Sequence, residues 1–179
     1  MTYSVKLKAG DSFPDIQATL LDGSAVTLGQ PSGDATWQAV VVYRGRHCPL
    51  CTKYLNALAS YTQALAEIGV DIIAVSADSK SQLEQHLTQL DINFAMAYGL
   101  SQAQLEQLGL YISVPRSAQE TDHNFAEPGL FIVNEHGQLH VVDIANNPFT
   151  RPDLQTLVNG LAWIRNPDNH YPIRGTFSY

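Results

Sequence analysis

Cysteine is scarce in this chain, which holds only two among its 179 residues. Two cysteines cannot build a framework of several disulfides, and this excludes the small secreted proteins that depend on one. Long apolar runs are also missing, because none approaches the roughly 20 residues that cross a bilayer, so no membrane partner is expected. Basic residues number 10 against 17 acidic ones, and a net charge of −7 argues against a nucleic-acid partner.

The composition that remains is that of an ordinary globular protein. Hydrophobic residues make up 45% of the chain and charged residues 15%, and the length fits a single domain over residues 1–179. No repeat or linker interrupts it. The N-terminal stretch "MTYSVKLKAGDSFPDI" lacks the apolar core of a signal peptide, so a cytoplasmic location is expected.

The most regular part of the chain surrounds the two cysteines. Residues 38–43 form a run, apolar after Gln38, that is typical of a strand buried on both faces. A helix is predicted to begin near Cys48, with Pro49 at its first position, and to end at Gly69. Residues 70–76 have the pattern of a second buried strand, so strand, helix and strand are predicted to form a parallel crossover.

Turn and capping residues outline the rest of the chain. The predicted elements are a hairpin around Asp22 and Gly23, a helix opened by the capping box of Ser79 and Gln82, a short helix over 101–108, a loop over 114–128, strands over 129–133 and 138–144, and a last helix capped by Thr150 and Asp153 with Pro152 in its first turn. Parallel strands followed by an antiparallel hairpin predict an α/β fold: a mixed sheet flanked by helices, with an N-terminal β extension.

The two cysteines stand three positions apart at the predicted helix start. The dipole and the free N–H groups of a first turn favour a thiolate, so the pKa of Cys48 is expected to be lowered. Cys51 lies one turn further on, close enough to attack a mixed disulfide on Cys48. Arg44, Arg46 and His47 precede the pair and are candidates to stabilise the thiolate. The spacing therefore predicts redox chemistry at Cys48 and Cys51.

Two other interpretations of the pair stay open. In the first, the cysteines are inert buried thiols. In the second, they contribute to a zinc site, which needs about four ligands. The chain offers one C-x-x-C, with His47 or His123 as further candidate ligands. Nothing in the sequence predicts a resident metal or an organic cofactor.

Over about residues 5–165 the chain resembles the peroxiredoxin-like branch of the thioredoxin fold, the alkyl hydroperoxide reductase and thiol-specific antioxidant group. Three stretches carry the resemblance. "KAGDSFPDIQATLLDGSAVTL" is similar to the opening strands of that group, "VVVYRGRHCPLCTKYL" to its active-site strand and helix, and "GLFIVNEHGQLHVVDI" to its late hairpin. The resemblance implies a thioredoxin-like fold and a thiol-dependent oxidoreductase.

The resemblance also assigns candidate roles to single residues. The group's motif P-x-x-x-T-x-x-C places its peroxide-attacking cysteine at Cys51, with Cys48 in the threonine position and Arg44 in the proline position. Its thiolate-stabilising arginine falls on Pro128, where thioredoxins carry a cis proline that faces the cysteines. A cis Glu127–Pro128 bond is therefore implied, against the alternative of an ordinary proline at the start of a strand.

Other residues are candidates for the role of the missing arginine or for a further role. Arg44 or Arg116 could replace the motif arginine. Arg151 stands at a predicted helix start, where a cation is unfavourable, which suggests either a specific partner such as a carboxylate or a solvated side chain. His47 is either a base or a residue that fills the position where thioredoxins have tryptophan.

The implied activity is reduction of a small peroxide or disulfide, an antioxidant role, with a thioredoxin- or glutathione-type reductant. In disulfide exchange Cys48 attacks and Cys51 resolves, whereas in peroxide reduction the alignment makes Cys51 the attacker. The resemblance also implies a possible homodimer. The alternative from another class is a non-catalytic redox sensor or binding module that uses the pair as a switch, with the loop over 114–128 as the responding segment.

Overall fold

The computed structural model describes residues 4–179. Its strands are β1 (Gln17–Leu20), β2 (Ala25–Thr27), β3 (Trp37–Val42), β4 (Val70–Val75), β5 (Ala95–Tyr98), β6 (Ile112–Ser113), β7 (Phe125–Ala126), β8 (Gly129–Val133) and β9 (Leu139–Ile144). Its helices are α1 (Pro49–Ala59), α2 (Thr62–Glu67), α3 (Lys80–Leu87), α4 (Gln102–Gln107) and α5 (Leu154–Arg165). Within this part of the chain, no helix has the length and apolar character that crossing a membrane requires.

Seven of the strands form one mixed sheet, in the order β2-β1-β5-β4-β3-β8-β9. Strand β3 runs parallel to β4 and antiparallel to β8, and β4 is parallel to β5. The N-terminal hairpin of β1 and β2 extends the sheet through an antiparallel pairing of β1 with β5. The predicted α/β architecture, with its parallel strands, late hairpin and N-terminal extension, is confirmed.

Strand β3 lies inside the sheet and supplies both apolar cores. Successive side chains of a strand point to opposite faces. Ala39 and Val41 pack into the core beneath α1 and α5, together with Tyr43 just beyond the strand end. Val40 and Val42 pack into the second core, beneath α4. Because both faces are covered, the end of β3 and the segment after it are held firmly, and that segment leads to Cys48.

Helix α1 places Cys51 in the first of these cores. Cys51, Leu55 and Leu58 follow a helical spacing of four and three residues, and each is at most 2% exposed. Burying a leucine side chain of this kind contributes about 2 kcal/mol. The apolar face of α1 therefore fixes the position of the Cys51 sulfur.

The predicted long helix after Cys48 is instead two helices, so this prediction was wrong between Ala59 and Thr62. The Thr62 hydroxyl donates to the Asn93 side chain at 2.6 Å and lies 3.0 Å from the carbonyl of Ala59. The N–H groups of Ser60 and Tyr61 donate to the carbonyls three residues before them, and these tighter turns end α1. The helical spacing of the apolar residues continues across the break, so the sequence pattern did not reveal that there are two helices. Gly69 ends α2 with φ +71° as predicted.

The remaining helix and strand boundaries were predicted in part. The capping box of Ser79 and Gln82 is confirmed at α3. Helix α5 begins at Leu154, and its N-cap is Asp153 alone, whose carboxylate accepts the Thr156 N–H at 2.9 Å. Pro152 lies before the cap, so Thr150 and Pro152 were assigned wrongly. Strand β5 was not predicted, and β7 lies inside the segment predicted as a loop, because both depend on pairing with distant strands.

Candidate functional site

Cys48 is the N-cap of α1, and Pro49 is its first residue, as the sequence predicts. Its sulfur accepts the backbone N–H of Cys51 at 3.3 Å. The pKa of Cys48 is lowered, chiefly because the Cys51 thiol donates a hydrogen bond to its sulfur; the Cys51 amide, Arg44 and the charge of Arg151 act in the same direction, against the effect of burial. Cys48 is therefore the better thiolate of the pair.

Cys51 lies deeper, with no exposed surface. Burial raises the pKa of its thiol, and so does the hydrogen bond that the thiol donates to Cys48. The hydrogen bond between the two thiols thus favours the thiolate form of Cys48 over that of Cys51. Both cysteines are free in this structure.

Arg151 is the cation closest to the pair. Its Nη2 lies 2.8 Å from the sulfur of Cys51, and its Nε donates to the carbonyl of Pro148 at 3.3 Å. The guanidinium lies over the ring of Tyr54, 5.0 Å from its centroid, and the Tyr54 hydroxyl donates to the carbonyl of Pro152 at 3.0 Å. These contacts tie the segment before α5 to α1. The partner that the sequence suggested for Arg151 is thus a cysteine sulfur rather than a carboxylate.

Arg44 follows β3 and is bound by two carboxylates. Its Nε lies 3.2 Å from Glu127 and its Nη2 lies 3.7 Å from Glu120, while the guanidinium covers the ring of Phe125 at 4.6 Å. Arg44 also lowers the pKa of Cys48. Arg116 pairs with Glu120 at 3.3 Å at the surface. The guanidinium that contacts the Cys51 sulfur is that of Arg151.

We expect Glu127→Gln to lower the free energy of unfolding by about 3 kcal/mol, because it leaves the charge of Arg44 with reduced compensation in a buried site. The Glu127 carboxylate is 6% exposed. Arg116→Gln is the matched control, since the Arg116 side chain is 86% exposed and its ion pair is screened by water. Urea unfolding of both variants measures the difference. Equal, small losses of stability would contradict a structural role for the buried pair.

The turn between Arg44 and Cys48 requires glycine at position 45. Gly45 has φ +135°, and a Cβ there would lie 2.5 Å from an Asp78 carboxylate oxygen. The other oxygen of Asp78 accepts the N–H of Arg46 at 2.7 Å. Burial raises the pKa of Asp78. This carboxylate therefore holds the backbone that delivers Cys48 to the start of α1.

Gly45→Ala is expected to lower the free energy of unfolding by about 3 kcal/mol, through backbone strain and the clash with Asp78. Gly33→Ala is the control: Gly33 also has positive φ, at +61°, but has open space around it, so about 1 kcal/mol is expected. Thermal and urea unfolding would compare the two. A Gly45→Ala variant as stable as Gly33→Ala would show that the Asp78 side chain moves away from the new Cβ at little cost in free energy.

His47 packs edge to face on Phe125, with ring centroids 4.5 Å apart. Burial and the charge of Arg44 lower the pKa of His47 to about 4, so the ring is neutral at pH 7. A neutral ring does not stabilise the Cys48 thiolate by charge. His123 is engaged by Asp78 at 3.4 Å and by Asp122 at 2.8 Å. Within residues 4–179 no group of three or more metal-ligating side chains is arranged to hold a metal ion.

The implied cis bond before Pro128 is wrong, because every peptide bond within residues 4–179 is trans. Pro128 is buried directly before β8, and its carbonyl accepts the Ala145 N–H at 2.9 Å. The preceding Glu127 donates its N–H to Tyr111 at 2.8 Å and carries the ion pair with Arg44. An extended, trans passage from β7 into β8 satisfies all of these contacts. A substrate-facing role of Pro128 stays a prediction.

Known proteins resemble this chain in family and in fold. The family described as Redoxin matches residues 8–158. No curated protein matches the chain in sequence. Among solved structures, a peroxiredoxin-like protein from Aquifex aeolicus has 18% identity and a TM-score of 0.73 over 89% of each chain.

Two further structures have the same fold. Peroxiredoxin 6 of Arenicola marina is 15% identical, with a TM-score of 0.74 over 90% of this chain and 75% of its own. Mycobacterium tuberculosis AhpC is 17% identical, with a TM-score of 0.72 over 92% of this chain and 96% of its own. The family match covers most of the chain and includes both cysteines. The chain therefore belongs to the Redoxin family and is a thiol-dependent oxidoreductase with the fold of these three structures.

Proposed function

We propose that the chain is a thiol peroxidase in which Cys48 attacks the peroxide and Cys51 closes the disulfide. The observation that carries this proposal is the contact of 2.8 Å between the Arg151 guanidinium and the Cys51 sulfur. Cys48 holds the negative charge before the reaction, as N-cap of α1. Cys51 has beside it the cation that will stabilise its own thiolate when that thiolate forms.

The proposed reaction has two balanced steps. The Cys48 thiolate attacks one peroxide oxygen and the O–O bond breaks; the departing oxygen takes a proton and leaves as water or an alcohol, and Cys48 becomes a sulfenic acid. Cys51 then loses its proton, and its sulfur attacks that of Cys48. The S–O bond breaks, and hydroxide leaves as water with the proton from Cys51. Two thiols are oxidised to one disulfide, and the peroxide is reduced by two electrons.

Burial favours a small oxidant over a protein disulfide. Cys48 is 1% exposed and Cys51 is 0% exposed. In thiol–disulfide exchange the attacking, attacked and leaving sulfurs lie in line, and the disulfide of a folded partner protein does not reach a sulfur below the surface without movement of α1. A peroxide of two heavy atoms needs far less room. Reduction of a small disulfide by the same pair is the second candidate.

Mixing fully reduced protein with hydrogen peroxide in a stopped-flow cell tests the proposal. We expect the second-order rate of disulfide formation to exceed that of a free thiol of low pKa, because two arginines and the helix start act on the sulfurs. A small peptide thiol of comparable pKa is the reference. A rate no higher than the reference would overturn the peroxidase proposal and leave disulfide exchange.

The pH dependence of the first step is a separate expectation. The attacking species is the thiolate, and the pKa of Cys48 lies below the ordinary value for a thiol. The rate with peroxide should therefore rise with pH and reach its plateau well below pH 8.5, about the pKa of a free cysteine. Stopped-flow rates between pH 4 and 10 measure the profile. A midpoint at or above that of a free cysteine would contradict the assignment of the charge to Cys48.

The cellular setting belongs to the same proposal. We propose a thiol reductant, an antioxidant role and a cytoplasmic location. These suit a chain whose only two cysteines form a reversible dithiol. A homodimer stays a prediction from the resemblance to the peroxiredoxin-like group. Analytical ultracentrifugation of reduced and oxidised protein would determine the oligomeric state.

A further inference from the structure

The guanidinium of Arg151 reaches the Cys51 sulfur without a carboxylate bound to it. Within residues 4–179 no ion pair includes Arg151, whereas Arg44 is bound by two carboxylates. A carboxylate paired with Arg151 would offset the positive charge that stabilises a thiolate at Cys51. Neutral groups therefore have to hold Arg151 in place if its full charge is to act on the sulfur.

The main chain around Arg151 does not fix the side chain against α1 by itself. Arg151 lies between β9 and α5, outside both elements, and Pro152 after it disfavours a helical backbone at that position. Its Nε donates to the carbonyl of Pro148 at 3.3 Å. That bond lies within the same short segment, so it shapes the arginine side chain without connecting it to the helix of Cys51. A contact from α1 has to make that connection.

Tyr54 makes the connection from α1 itself. It follows Cys51 by three residues, so the two side chains are neighbours on one face of the helix. The Tyr54 ring faces the guanidinium, with 5.0 Å between Arg151 Cζ and the ring centroid, and a ring attracts a cation without neutralising it. The Tyr54 hydroxyl donates to the carbonyl of Pro152 at 3.0 Å. Tyr54 thus holds both the side chain of Arg151 and the main chain beside it.

The environment of Tyr54 keeps its hydroxyl a donor. The side chain is half-buried and packs against the core beneath α1 and α5. Burial raises the pKa of Tyr54 to about 12, against the opposing effect of the Arg151 charge. The phenol is therefore neutral over the pH range in which the thiols react, and it brings no negative charge to the surroundings of Cys51.

We infer that Tyr54 is a positioning residue that holds the Arg151 guanidinium against the Cys51 sulfur and so speeds closure of the Cys48–Cys51 disulfide. This inference rests on the proposed function, in which Cys51 is the resolving thiol. Tyr54 takes part in none of the bonds that form or break. It determines how strongly Arg151 stabilises the thiolate that Cys51 becomes when it loses its proton.

The test follows the attack of Cys51 without peroxide. Reduced protein is mixed with one equivalent of methyl methanethiosulfonate, which transfers its methylthio group to the Cys48 thiolate and releases methanesulfinate. Cys51 then loses its proton and attacks the Cys48 sulfur, the mixed disulfide breaks, and methanethiolate leaves and takes a proton. Acid quench and intact mass spectrometry resolve both steps, because the adduct is heavier and the disulfide is lighter than the reduced protein.

Substitutions at Tyr54 should slow the second step and leave the first unchanged. We expect a loss of about tenfold in Tyr54→Leu, which removes ring and hydroxyl, and of about threefold in Tyr54→Phe, which keeps the ring. The midpoint of the pH profile of the second step should also move to higher pH in Tyr54→Leu, because the Cys51 thiolate is less stabilised. Tyr61→Phe is the matched control, since Tyr61 packs against the same core and its hydroxyl forms no capping bond to α2.

A double variant separates positioning from packing. If Tyr54 acts through Arg151, Tyr54→Leu added to Arg151→Gln should slow the second step by no more than about twofold beyond Arg151→Gln alone. Losses that multiply in the double variant would overturn the inference, and so would equal second-step rates in Tyr54→Leu and Tyr61→Phe. Urea unfolding confirms that each variant is folded, and Tyr54→Phe carries the test if Tyr54→Leu is not.

The outcomes distinguish this inference from the proposed function. A loss in Arg151→Gln without a loss in either Tyr54 variant rejects the positioning role and keeps the role of Arg151. Unchanged second steps in the Arg151 and Tyr54 variants together would reject both. A slow reaction with hydrogen peroxide would reject the peroxidase alone, because the thiosulfonate supplies the oxidising equivalent in this test.

Discussion

Cys48→Ser is expected to abolish peroxide reduction, whereas Cys51→Ser is expected to keep the first step and to stop at the sulfenic acid. The pKa of Cys48 is lowered, because its sulfur accepts hydrogen bonds from the amide and the thiol of Cys51, so we expect Cys48 to be the attacking thiolate. Loss of a nucleophile lowers the rate by about three orders of magnitude or more. Cys51→Ser removes the resolving thiol, places a hydroxyl where the thiol donates to Cys48, and leaves the amide at residue 51 and the start of α1 in place.

A trapping experiment distinguishes the two variants. Each is treated with one equivalent of hydrogen peroxide in the presence of a 1,3-dione that alkylates sulfenic acids, and the adduct is located by mass spectrometry. We expect an adduct on Cys48 of Cys51→Ser and almost none on Cys48→Ser. The reverse pattern would mean that Cys51 attacks, as the alignment with the P-x-x-x-T-x-x-C motif implies. The unaltered protein should form the intramolecular disulfide without an adduct.

The sequence predicts the parts of the site that depend on neighbouring residues. Pro49 after Cys48 indicates a helix start, and the apolar run before it indicates a buried strand, so the position of the pair at the junction of β3 and α1 could be inferred. Capping boxes likewise depend on residues three positions apart. These features need no knowledge of the rest of the chain.

The features of the site that the sequence did not predict depend on contacts between distant segments of the chain. Arg151 stands 100 residues after Cys51, and only the return of the chain through β8 and β9 brings it to that sulfur. Its one signal in the sequence is a cation at a helix start, which indicates a partner without identifying it. Arg44 and Glu127 form their ion pair by a similar return. The pairing of β6 with β7, which leads the chain to Pro128, likewise joins separate segments that no local pattern reveals.

The second large effect is expected at Arg151, whose replacement by glutamine should slow formation of the disulfide by about 10²-fold. Removing one donor that stabilises a developing anion commonly costs a factor of this size. Arg151 contacts Cys51 rather than Cys48, so the step that generates the Cys51 thiolate should suffer most. Sulfenic acid on Cys48 should therefore accumulate in Arg151→Gln. The burst of sulfenic acid and its decay to the disulfide are measured by rapid quench and mass spectrometry.

Arg165→Gln is a closely matched control for Arg151→Gln. Arg165 also donates from Nε to a backbone carbonyl, that of Ile68 at 2.8 Å, and covers an aromatic ring, that of Trp37 at 4.8 Å, but it has no cysteine beside it. Any loss that both variants share is structural. Arg151→Lys should restore part of the rate, because it returns the charge without the guanidinium geometry. If Arg151→Gln and Arg165→Gln form the disulfide at the same rate, Arg151 serves packing alone, and the Cys51 thiolate must be stabilised by the start of α1 without it.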